Sequence, residues 1–393
     1  MNIMWFCIPA HGHTNPTIEV VRELVRRGHT IRYYSFEPFR EQIMDTGAVY
    51  ISCDEYMDTL SQASERRLKK VSTTEMSIQS FHMTARMDSR LADDTASFRP
   101  DLIVTDSACF WGKLTAQKYN LPMVVSCTTF AFNQASARYM KYSFSEIADM
   151  VLGIPRLKKE SAKLEPLGYH IKNVLDLVQN KNDTDTIVFA SERFQPFAET
   201  FDKSHYCFVG PSLRPTEITR TQRQRPLIYI SLGTVINNQP DFYRHCADAF
   251  AGQPLDVLIS CGNDFDPHGL DPLPENITIQ PYVDQLSVLA EASVFLTHCG
   301  MNSASEGLYM GVPEILFPLT GEEEAVARRV LETGAGVRLT RTDAGSSDRI
   351  REVVLGVLST PAYSDTAFDL RKDFISAGGA VRAADFIESR KKQ

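Results

Sequence analysis

Short apolar runs alternate with longer amphipathic segments along the chain of 393 residues. The first run covers residues 2–9, and it precedes a segment in which Ile18, Val21 and Leu24 recur at helical spacing. Further runs that predict strands cover residues 31–36, 47–51, 101–105, 122–127, 186–190 and 206–209. This alternation is typical of β–α units, which build a mostly parallel sheet covered by helices.

Polar and small residues mark the ends of the first predicted helix. Thr14 or Asn15 can cap its N-terminus, and Gly28 suits the position just past its C-terminus. We therefore expect residues 11–13 to lie in a loop between the first strand and this helix.

Residues 211–226 interrupt the alternation, because they contain three prolines and few apolar side chains, as linkers do. Beyond them the strand-like runs resume at residues 227–231, 255–260, 276–280, 293–297 and 314–317. We thus predict two Rossmann-like domains and two further segments. These parts are a first domain at 1–210, a linker at 211–226, a second domain at 227–375, and a C-terminal helix within 376–393 that packs back on the first domain.

Composition and charge exclude several classes of protein. The net charge of −8 offers no surplus of basic residues for binding nucleic acid. The sequence contains no apolar stretch of about 20 residues, so we predict no membrane span. The eight cysteines are scattered, without a Cys-x-x-Cys pair. We therefore expect no disulfide framework or zinc site, and a cytoplasmic protein.

Two candidate catalytic groups follow strands of the first predicted domain. His13 comes after the first strand, and Asp106 ends the apolar run at 101–105. A carboxylate can orient an imidazole ring and stabilise the imidazolium that forms during proton transfer. Two alternatives stay open: His11 and His13 could simply form a turn, and Asp106 could cap a helix.

The densest group of polar residues lies in the second half. A predicted strand ends at Thr297, and a glycine turn at Gly300 precedes a helix that begins near Met301. A helix N-terminus with free N–H groups suits phosphate oxygens. The surrounding donors and acceptor are His298, Asn302, Ser303 and Glu306, of which Glu306 could accept hydrogen bonds from ribose hydroxyls.

This pattern favours a nucleoside diphosphate as ligand, and a capped helix with an incidental histidine is the alternative. Ser231 and Thr234 flank Gly233 at another predicted strand end, where small residues let a backbone approach phosphate.

Other motifs point away from metal and dinucleotide sites. Two Asp-x-Asp pairs, Asp183/Asp185 and Asp264/Asp266, do not follow strands, so we interpret them as solvated loop acids and predict no metal site. The Gly-x-Gly-x-x-Gly fingerprint is absent, which disfavours an NAD-dependent oxidoreductase.

These motifs together resemble the family-one inverting glycosyltransferases of the GT-B fold, in particular their bacterial macrolide-type branch. The resemblance covers essentially the whole chain. It implies an α/β architecture in which two doubly wound Rossmann-like domains face each other across a cleft. It also implies that His13 is the catalytic base, that Asp106 is its partner, and that Tyr282 stacks on uracil.

The chain departs from the family pattern at two places. Asp284 stands where proline is usual, and Asp suits the N-cap of a helix beginning near Gln285. Glu322-Glu323 stands where an acid followed by glutamine is typical, which leaves the sugar identity open. The donor site expected from motifs and resemblance together comprises Ser231, Thr234, Tyr282, Gln285, His298, Gly300, Asn302, Ser303, Glu306, Glu322 and Glu323.

The resemblance implies that a hexose, with glucose expected, passes from a UDP-sugar to a hydroxyl of a small apolar or aromatic acceptor. Such acceptors are phenolic, flavonoid or macrolide-like compounds, and the reaction needs no metal or resident cofactor. The candidate acceptor wall comprises Phe81, Met83, Phe110, Trp111, Phe130 and Phe132, and core packing is the alternative for each. A catalytically silent auxiliary protein and a sugar-nucleotide epimerase remain as alternatives. The oligomeric state is not predicted.

Overall fold

The computed structural model describes residues 1–57, 72–139, 144–171, 173–174, 177, 183–214, 223–234 and 236–391. The chain divides into two compact units. One unit combines Met1–Arg214 with Ala377–Gln393, and the other is Pro215–Ser376. Residues 215–222 of the predicted linker lie outside the described residues.

The first unit is built on a parallel sheet. Within the described residues its strands are β1 (Asn2–Phe6), β2 (Thr30–Ser35), β3 (Val49–Ser52), β4 (Leu102–Asp106), β5 (Met123–Cys127), β6 (Thr186–Val188) and β7 (Tyr206–Phe208). Their spatial order is β3-β2-β1-β4-β5-β6-β7. The order reverses between β1 and β4, which is where Rossmann-like sheets place their ligands.

The second unit repeats this plan. Its strands within the described residues are β8 (Leu227–Ser231), β9 (Asp256–Ser260), β10 (Ile277–Gln280), β11 (Val294–Thr297), β12 (Glu314–Leu316) and β13 (Gly336–Arg338). All pairings are parallel, in the order β10-β9-β8-β11-β12-β13. The predicted α/β class with two doubly wound domains is thereby confirmed.

Helices connect the strands in both units. Within the described residues of the first unit they are α1 (His11–Arg26), α2 (Arg40–Met44), α3 (Thr73–Phe98), α4 (Phe110–Lys118), α5 (Phe144–Ala162) and, at the C-terminus, α13 (Gly379–Glu388). In the second unit they are α6 (Pro240–Phe250), α7 (Gln285–Glu291), α8 (Met301–Tyr309), α9 (Gly321–Thr333), α10 (Arg341–Ala344), α11 (Ser347–Leu358) and α12 (Pro361–Ser376). Short 3₁₀ turns cover Glu37–Phe39, Asp54–Tyr56, Ser136–Tyr139, Glu165–Leu167, Ala198–Thr200 and Pro267–Leu270.

The first helix begins earlier than its polar residues suggest. The Ala10 carbonyl accepts from the backbone N–H groups of His13 and Thr14, so α1 starts at His11. Thr14 is buried, and its hydroxyl lies 3.6 Å from Cys7 Sγ instead of capping the helix. The predicted loop at residues 11–13 is therefore wrong, and His13 lies in the first helical turn. The predicted end is confirmed, because Gly28 adopts a left-handed φ of +88° just past the helix.

Each unit has its own apolar core. In the first unit, Trp5 and Tyr33 stack with ring centroids 5.9 Å apart at the centre of a core that also includes Ile387 of α13. The C-terminal helix α13 packs against α1, where Arg27 forms ion pairs with Asp385 and Glu388. No helix within the described residues has the length and apolar content needed to cross a bilayer.

Candidate active site

The first candidate group lies at the carboxyl end of the first sheet. Strands β1, β4 and β5 are neighbours, and their parallel register brings Asp106 opposite Ser126. Helix α1 begins just after β1, so the side chain of His13 reaches the end of β4. Here the fold brings together two residues, His13 and Asp106, that are far apart in sequence.

His13 and Asp106 form a close pair. The distance between His13 Nδ1 and Asp106 Oδ2 is 2.7 Å, and the carboxylate is fully buried. The other oxygen, Oδ1, accepts from the backbone N–H of Ala108 at 2.8 Å. The carboxylate therefore holds the proton on Nδ1, and Nε2 becomes the ring nitrogen that can accept a proton from elsewhere. The imidazole side chain is 23% exposed, so solvent or a ligand can reach it.

Thr128 belongs to the same group, and the sequence analysis missed it. It is buried just after β5, and its hydroxyl oxygen lies 3.2 Å from His13 Nδ1. The position directly after a predicted strand was the available signal. By contrast, His11 packs its ring against Phe39, with ring centroids 4.9 Å apart.

The second candidate group lies at the corresponding end of the second sheet. Ser231 at the end of β8 lies opposite Thr297 at the end of β11, so the loops that follow are adjacent. The backbone N–H of His298 donates to the Ser231 carbonyl at 3.3 Å. A Cβ atom at Gly233 would lie 2.5 Å from the His298 ring, and one at Gly300 would be equally close. Glycine is required at both positions because the imidazole occupies that space.

The backbone geometry at the start of helix α8 is suited to the predicted phosphate site. Gly300 is the N-cap and has no side chain to cover the first N–H groups. Asn302 and Ser303 follow in the first turn, and both are half-buried. Cys299, just before the cap, has a left-handed φ of +67°, which is uncommon for a residue with a side chain.

Gln285 links the predicted donor residues of the second unit into one network. Its Nε2 donates to Glu306 Oε2 at 2.6 Å and to Ser303 Oγ at 3.4 Å. The buried Tyr229 hydroxyl donates to Gln285 Oε1 at 3.0 Å, which fixes the orientation of the amide. Tyr229 is a further residue that the sequence analysis missed, because its apolar strand gave no sign of a polar contact.

Glu306 has a perturbed ionisation. Burial raises its pKa to about 7, although the hydrogen bond from Gln285 acts in the opposite direction. Near neutral pH this carboxyl group therefore exists in both protonation states. Glu306 can accept hydrogen bonds from a ligand more fully as the pH rises.

The edge of this group carries an exposed aromatic ring. Tyr282 is 76% exposed, so one face of its ring can take up a planar ligand. Asp284 caps helix α7 by accepting from the Ser287 N–H and hydroxyl, which confirms its predicted N-cap role. Thr234 is exposed in the loop after β8.

At the start of helix α9 the contacts of Glu323 differ from the expected contact with the sugar. Glu323 is buried, and its Oε2 accepts from the backbone N–H groups of Leu319 and Thr320 at 2.8 and 2.9 Å. With Thr320 it forms a capping box, a Thr-x-x-Glu pattern that the sequence analysis did not use. Glu324 pairs with Arg338 through both of its oxygens. The exposed Glu322 is therefore the better candidate for contact with a sugar.

Four of the six candidate acceptor residues belong to the core. Phe81 and Phe110 lie in one buried cluster, with ring centroids 5.9 Å apart. Met83 and Trp111 lie in the main core of the first unit, and each is 3% exposed. These four buried side chains of α3 and α4 serve packing within the first unit, so we assign them to the core instead of an acceptor wall.

The remaining two candidates lie after β5. Phe130 is buried, and its ring contacts the rings of Tyr139 and Phe194. Phe132 is half-buried, so part of its ring is accessible. Phe132 is therefore the better placed of the two candidates for contact with a ligand.

The Asp-x-Asp pairs have structural partners. Asp185 contacts His205 and Arg390, and Asp266 caps the 3₁₀ turn Pro267–Leu270. Among the residues that the structure describes, no group of three or more histidine, cysteine or acidic side chains has a geometry suited to a metal ion.

Comparison with known proteins identifies the family. Residues 215–373 match the family described as UDP-glucoronosyl and UDP-glucosyl transferase. The NDP-glycosyltransferase YjiC of Bacillus licheniformis is 34% identical over 399 residues, which covers 99% of this chain and 97% of the relative. The oleandomycin glycosyltransferase of Streptomyces antibioticus is 28% identical and covers 99% of this chain and 90% of its own length.

A solved structure shows the same architecture over the whole chain. CalG4, the calicheamicin glycosyltransferase, superposes with a TM-score of 0.81 and 29% identity, covering 99% of this chain and 98% of that one. The chain therefore belongs to the macrolide-type branch of the family-one glycosyltransferases, which have the GT-B fold and use nucleotide sugars as co-substrates.

Proposed function

We propose that this glycosyltransferase moves a hexose, with glucose as the expected sugar, from a UDP-sugar to a hydroxyl of a small apolar or aromatic acceptor. Macrolide-like, phenolic and flavonoid hydroxyls are the proposed acceptor classes. The observation that supports this proposal most strongly is the distance of 2.7 Å between His13 Nδ1 and Asp106 Oδ2. An oriented imidazole of this kind suits the removal of a hydroxyl proton.

In the proposed reaction, Nε2 of His13 takes the proton of the acceptor hydroxyl. The acceptor oxygen then forms a bond to the anomeric carbon, while the bond from that carbon to the UDP oxygen breaks. Attack from the face opposite UDP inverts the anomeric configuration. Asp106 stabilises the imidazolium by accepting a charged hydrogen bond from its Nδ1–H group.

The proposed donor site uses the network of the second unit. The N–H groups at the start of α8, together with His298 and Ser303, stabilise the diphosphate as it gains charge. Asn302 in the first turn of α8, Thr234 in the loop after β8 and the Ser231 backbone at the end of β8 complete the proposed phosphate contacts. No metal is needed in this proposal because the helix terminus and neutral donors supply the stabilisation.

Four further residues have proposed roles in donor recognition. Tyr282 stacks on uracil, and Glu306 accepts from ribose hydroxyls while Gln285 holds its carboxylate. Glu322 contacts the sugar, whereas Glu323 supports the helix start through its capping box. This assignment replaces the expected sugar contact of Glu323. The cytoplasmic location of the protein and the contact between Phe132 and the acceptor stay predictions.

A donor and acceptor panel tests the proposal. The enzyme is incubated with UDP-glucose, UDP-galactose, UDP-N-acetylglucosamine and dTDP-glucose, each with a phenol, a flavonoid and a macrolide. We expect a glycoside to form with a UDP-sugar, with inverted configuration by proton NMR and with at most a modest change after EDTA treatment. Isomerised UDP-sugar without glycoside would indicate an epimerase, and no turnover across the panel would favour an auxiliary protein.

The sugar contact has its own test in the same panel. Glu322→Gln is expected to change the relative kcat/KM for UDP-glucose and UDP-galactose by roughly tenfold, because unmatched polar groups discriminate between hydroxyl patterns. Glu323→Gln serves as the control, since glutamine also fits the third position of a capping box. An altered donor preference in the Glu323 variant alone would reverse this assignment.

A further inference from the structure

Lys113 is a buried cation near the catalytic pair, and the proposed mechanism has given it no role. It lies in helix α4 and is 3% exposed. Its Nζ donates to the backbone carbonyls of Ser107 and Leu177, each at 2.6 Å. Burial of an ammonium group is costly unless hydrogen bonds and an opposite charge compensate for the lost water.

The opposite charge that attracts Lys113 belongs to Asp106. This attraction raises the pKa of Lys113, against the larger effect of burial, which lowers that pKa to about 8. The hydrogen-bond donors described above for the Asp106 carboxylate are the Ala108 N–H and the His13 ring. The carboxylate is fully buried, so it needs a compensating positive charge when the imidazole is neutral.

The thiols and the phenol around this carboxylate carry no charge near neutral pH. Within the described residues, the titratable groups that interact with Asp106 are His13, Cys7, Tyr33, Cys109, Lys113 and Cys127. Burial raises the pKa of all three thiols and of the Tyr33 phenol well above neutral pH. Lys113 is thus the member of this set that supplies a positive charge while His13 is neutral.

We propose that Lys113 is a positioning residue that holds the loop after β4 and supplies a positive charge beside the pair of His13 and Asp106. The inference rests on the proposed catalytic roles of His13 and Asp106. Its hydrogen bond to the carbonyl of Ser107, the residue next to Asp106, fixes the start of the loop that follows β4. Its bond to Leu177 attaches a second segment of the first unit to the same place.

The positive charge of Lys113 should shift the protonation of His13 in a direction that can be measured. When Lys113 is neutral or replaced, the negative charge of Asp106 is less compensated, so His13 should hold a proton up to a higher pH. Protonated His13 cannot act as a base. Since burial leaves Lys113 with a pKa of about 8, its positive charge is present below that pH and is lost as the pH rises through it.

The test separates charge from tethering through two variants. Lys113→Gln retains a hydrogen-bond donor without the charge, and Lys113→Arg retains the charge. The His13 ring resonance is followed by NMR from pH 5 to 9 without substrates, and it is assigned by its loss in His13→Ala. We expect the titration midpoint of His13 to rise by about one pH unit in Lys113→Gln, a tenfold increase in proton affinity, and by a few tenths at most in Lys113→Arg.

A reciprocal measurement covers the case in which Lys113→Gln fails to fold. In Asp106→Asn, the titration midpoint of the Lys113 side chain, followed in ¹³C-lysine-labelled protein and assigned by its loss in Lys113→Arg, should fall, since coupling between two sites is mutual. Both titrations need no sugar transfer, so they report on Lys113 even if the proposed reaction is wrong. Unchanged midpoints in both experiments would overturn the proposal.

The pH dependence of turnover supplies a readout that a purely structural role would not move. In Lys113→Gln, kcat should fall about tenfold at pH 6.5, with KM nearly unchanged, and it should recover towards the normal value near pH 8.5. A loss of kcat by the same factor at every pH would show that Lys113 acts through packing alone, and it would contradict the proposed role of its positive charge.

Discussion

The two units place a carboxylate at the same end of similar sheets, but they hold it in different ways. Asp106 of the first unit is fully buried and lies 2.7 Å from an imidazole nitrogen. Glu306 of the second unit is half-buried and accepts from the neutral amide of Gln285 at 2.6 Å. A carboxylate beside an imidazole can stabilise a moving proton, whereas one beside an amide fixes a hydrogen-bonding pattern. One fold therefore supplies groups suited to proton transfer in one unit and to binding in the other.

The units also differ in how they prepare these sites. The first unit relies on side chains, because His13 from the first turn of α1 meets Asp106 at the end of β4 and Thr128 just after β5. The second unit relies on backbone, since Gly233 and Gly300 leave room for a histidine ring beside an open helix terminus. Substitutions in the first unit should therefore change rate, and those in the second should change affinity.

A large effect on the rate of sugar transfer is expected for the Asp106→Asn variant. The amide cannot stabilise the imidazolium and can favour the wrong tautomer, so we expect kcat to fall roughly 10²-fold or more. The Kd of UDP, measured by calorimetry, should stay within twofold because the proposed donor residues belong to the second unit. A parallel loss of UDP affinity and of the thermal transition would show that Asp106 is structural.

A third carboxyl group sharpens the comparison because none of the described residues donates a hydrogen bond to it. Glu314 is fully buried on β12, and neither carboxylate oxygen has a hydrogen-bond partner within the described residues. Burial raises its pKa well above the ordinary value of 4.5, so the folded protein keeps the group neutral. Above about pH 4.5 the unfolded chain ionises while the folded chain does not, so stability declines by up to about 1.4 kcal/mol per pH unit.

Urea unfolding at pH 5 and pH 7 measures this contribution. In Glu314→Met we expect the free energy of unfolding at pH 7 to rise by about 1–3 kcal/mol, since an apolar side chain of similar length needs no partner. Its advantage over the parent protein should shrink towards pH 5. The exposed Glu275→Met serves as the matched control and should change neither value. A destabilised Glu314→Met at both pH values would contradict this account.

A smaller effect concerns the pH dependence of nucleotide affinity. Because burial gives Glu306 a pKa of about 7, its carboxylate is mostly protonated at pH 6 and mostly ionised at pH 8. If ribose hydroxyls donate to it, UDP should bind roughly tenfold more tightly at pH 8 than at pH 6 relative to Glu306→Gln. The comparison at each pH cancels the ionisation of UDP itself. Parallel pH profiles for the two proteins would remove Glu306 from the binding site.

The smallest effect is expected for Tyr229→Phe. Loss of its hydroxyl releases the Gln285 amide, which can then present its oxygen to Glu306. One hydrogen bond is worth about 0.5–1.5 kcal/mol, so we expect the Kd of UDP to rise about threefold with kcat unchanged. Tyr34→Phe removes another buried hydroxyl, one that donates to Asp94 in the first unit, and it should leave UDP affinity unaffected.

Much of the fold could be predicted because buried parallel strands appear as short apolar runs. The run at 227–231 predicts β8 (Leu227–Ser231) with the same bounds. Strand β13 escaped detection because Gly336, Val337 and Arg338 form a short edge strand without an apolar run. The start of α1 was misplaced because Thr14 suits a cap by composition, whereas its side chain is needed in the core.

Site residues were predictable where they follow a strand. They were ambiguous where tertiary packing decides whether a side chain lines a pocket or lies in the core. His13 and Asp106 each follow an apolar run, but their spacing in sequence could not establish that they touch. Trp111 shows the opposite case, since an aromatic residue on a helix can line a pocket or fill a core. Lys113 gave no signal, because a lysine in a helix is usually exposed.

Sugar transfer by His13→Ala at saturating UDP-sugar tests the central claim most directly, because it separates rate from affinity in one variant. The account predicts that kcat falls by about 10²–10⁴-fold, the usual contribution of a general base, while the Kd of UDP stays within twofold. A near-normal kcat would contradict the assignment of His13 as the base. A proportional loss of UDP affinity would contradict the division of labour between the two units.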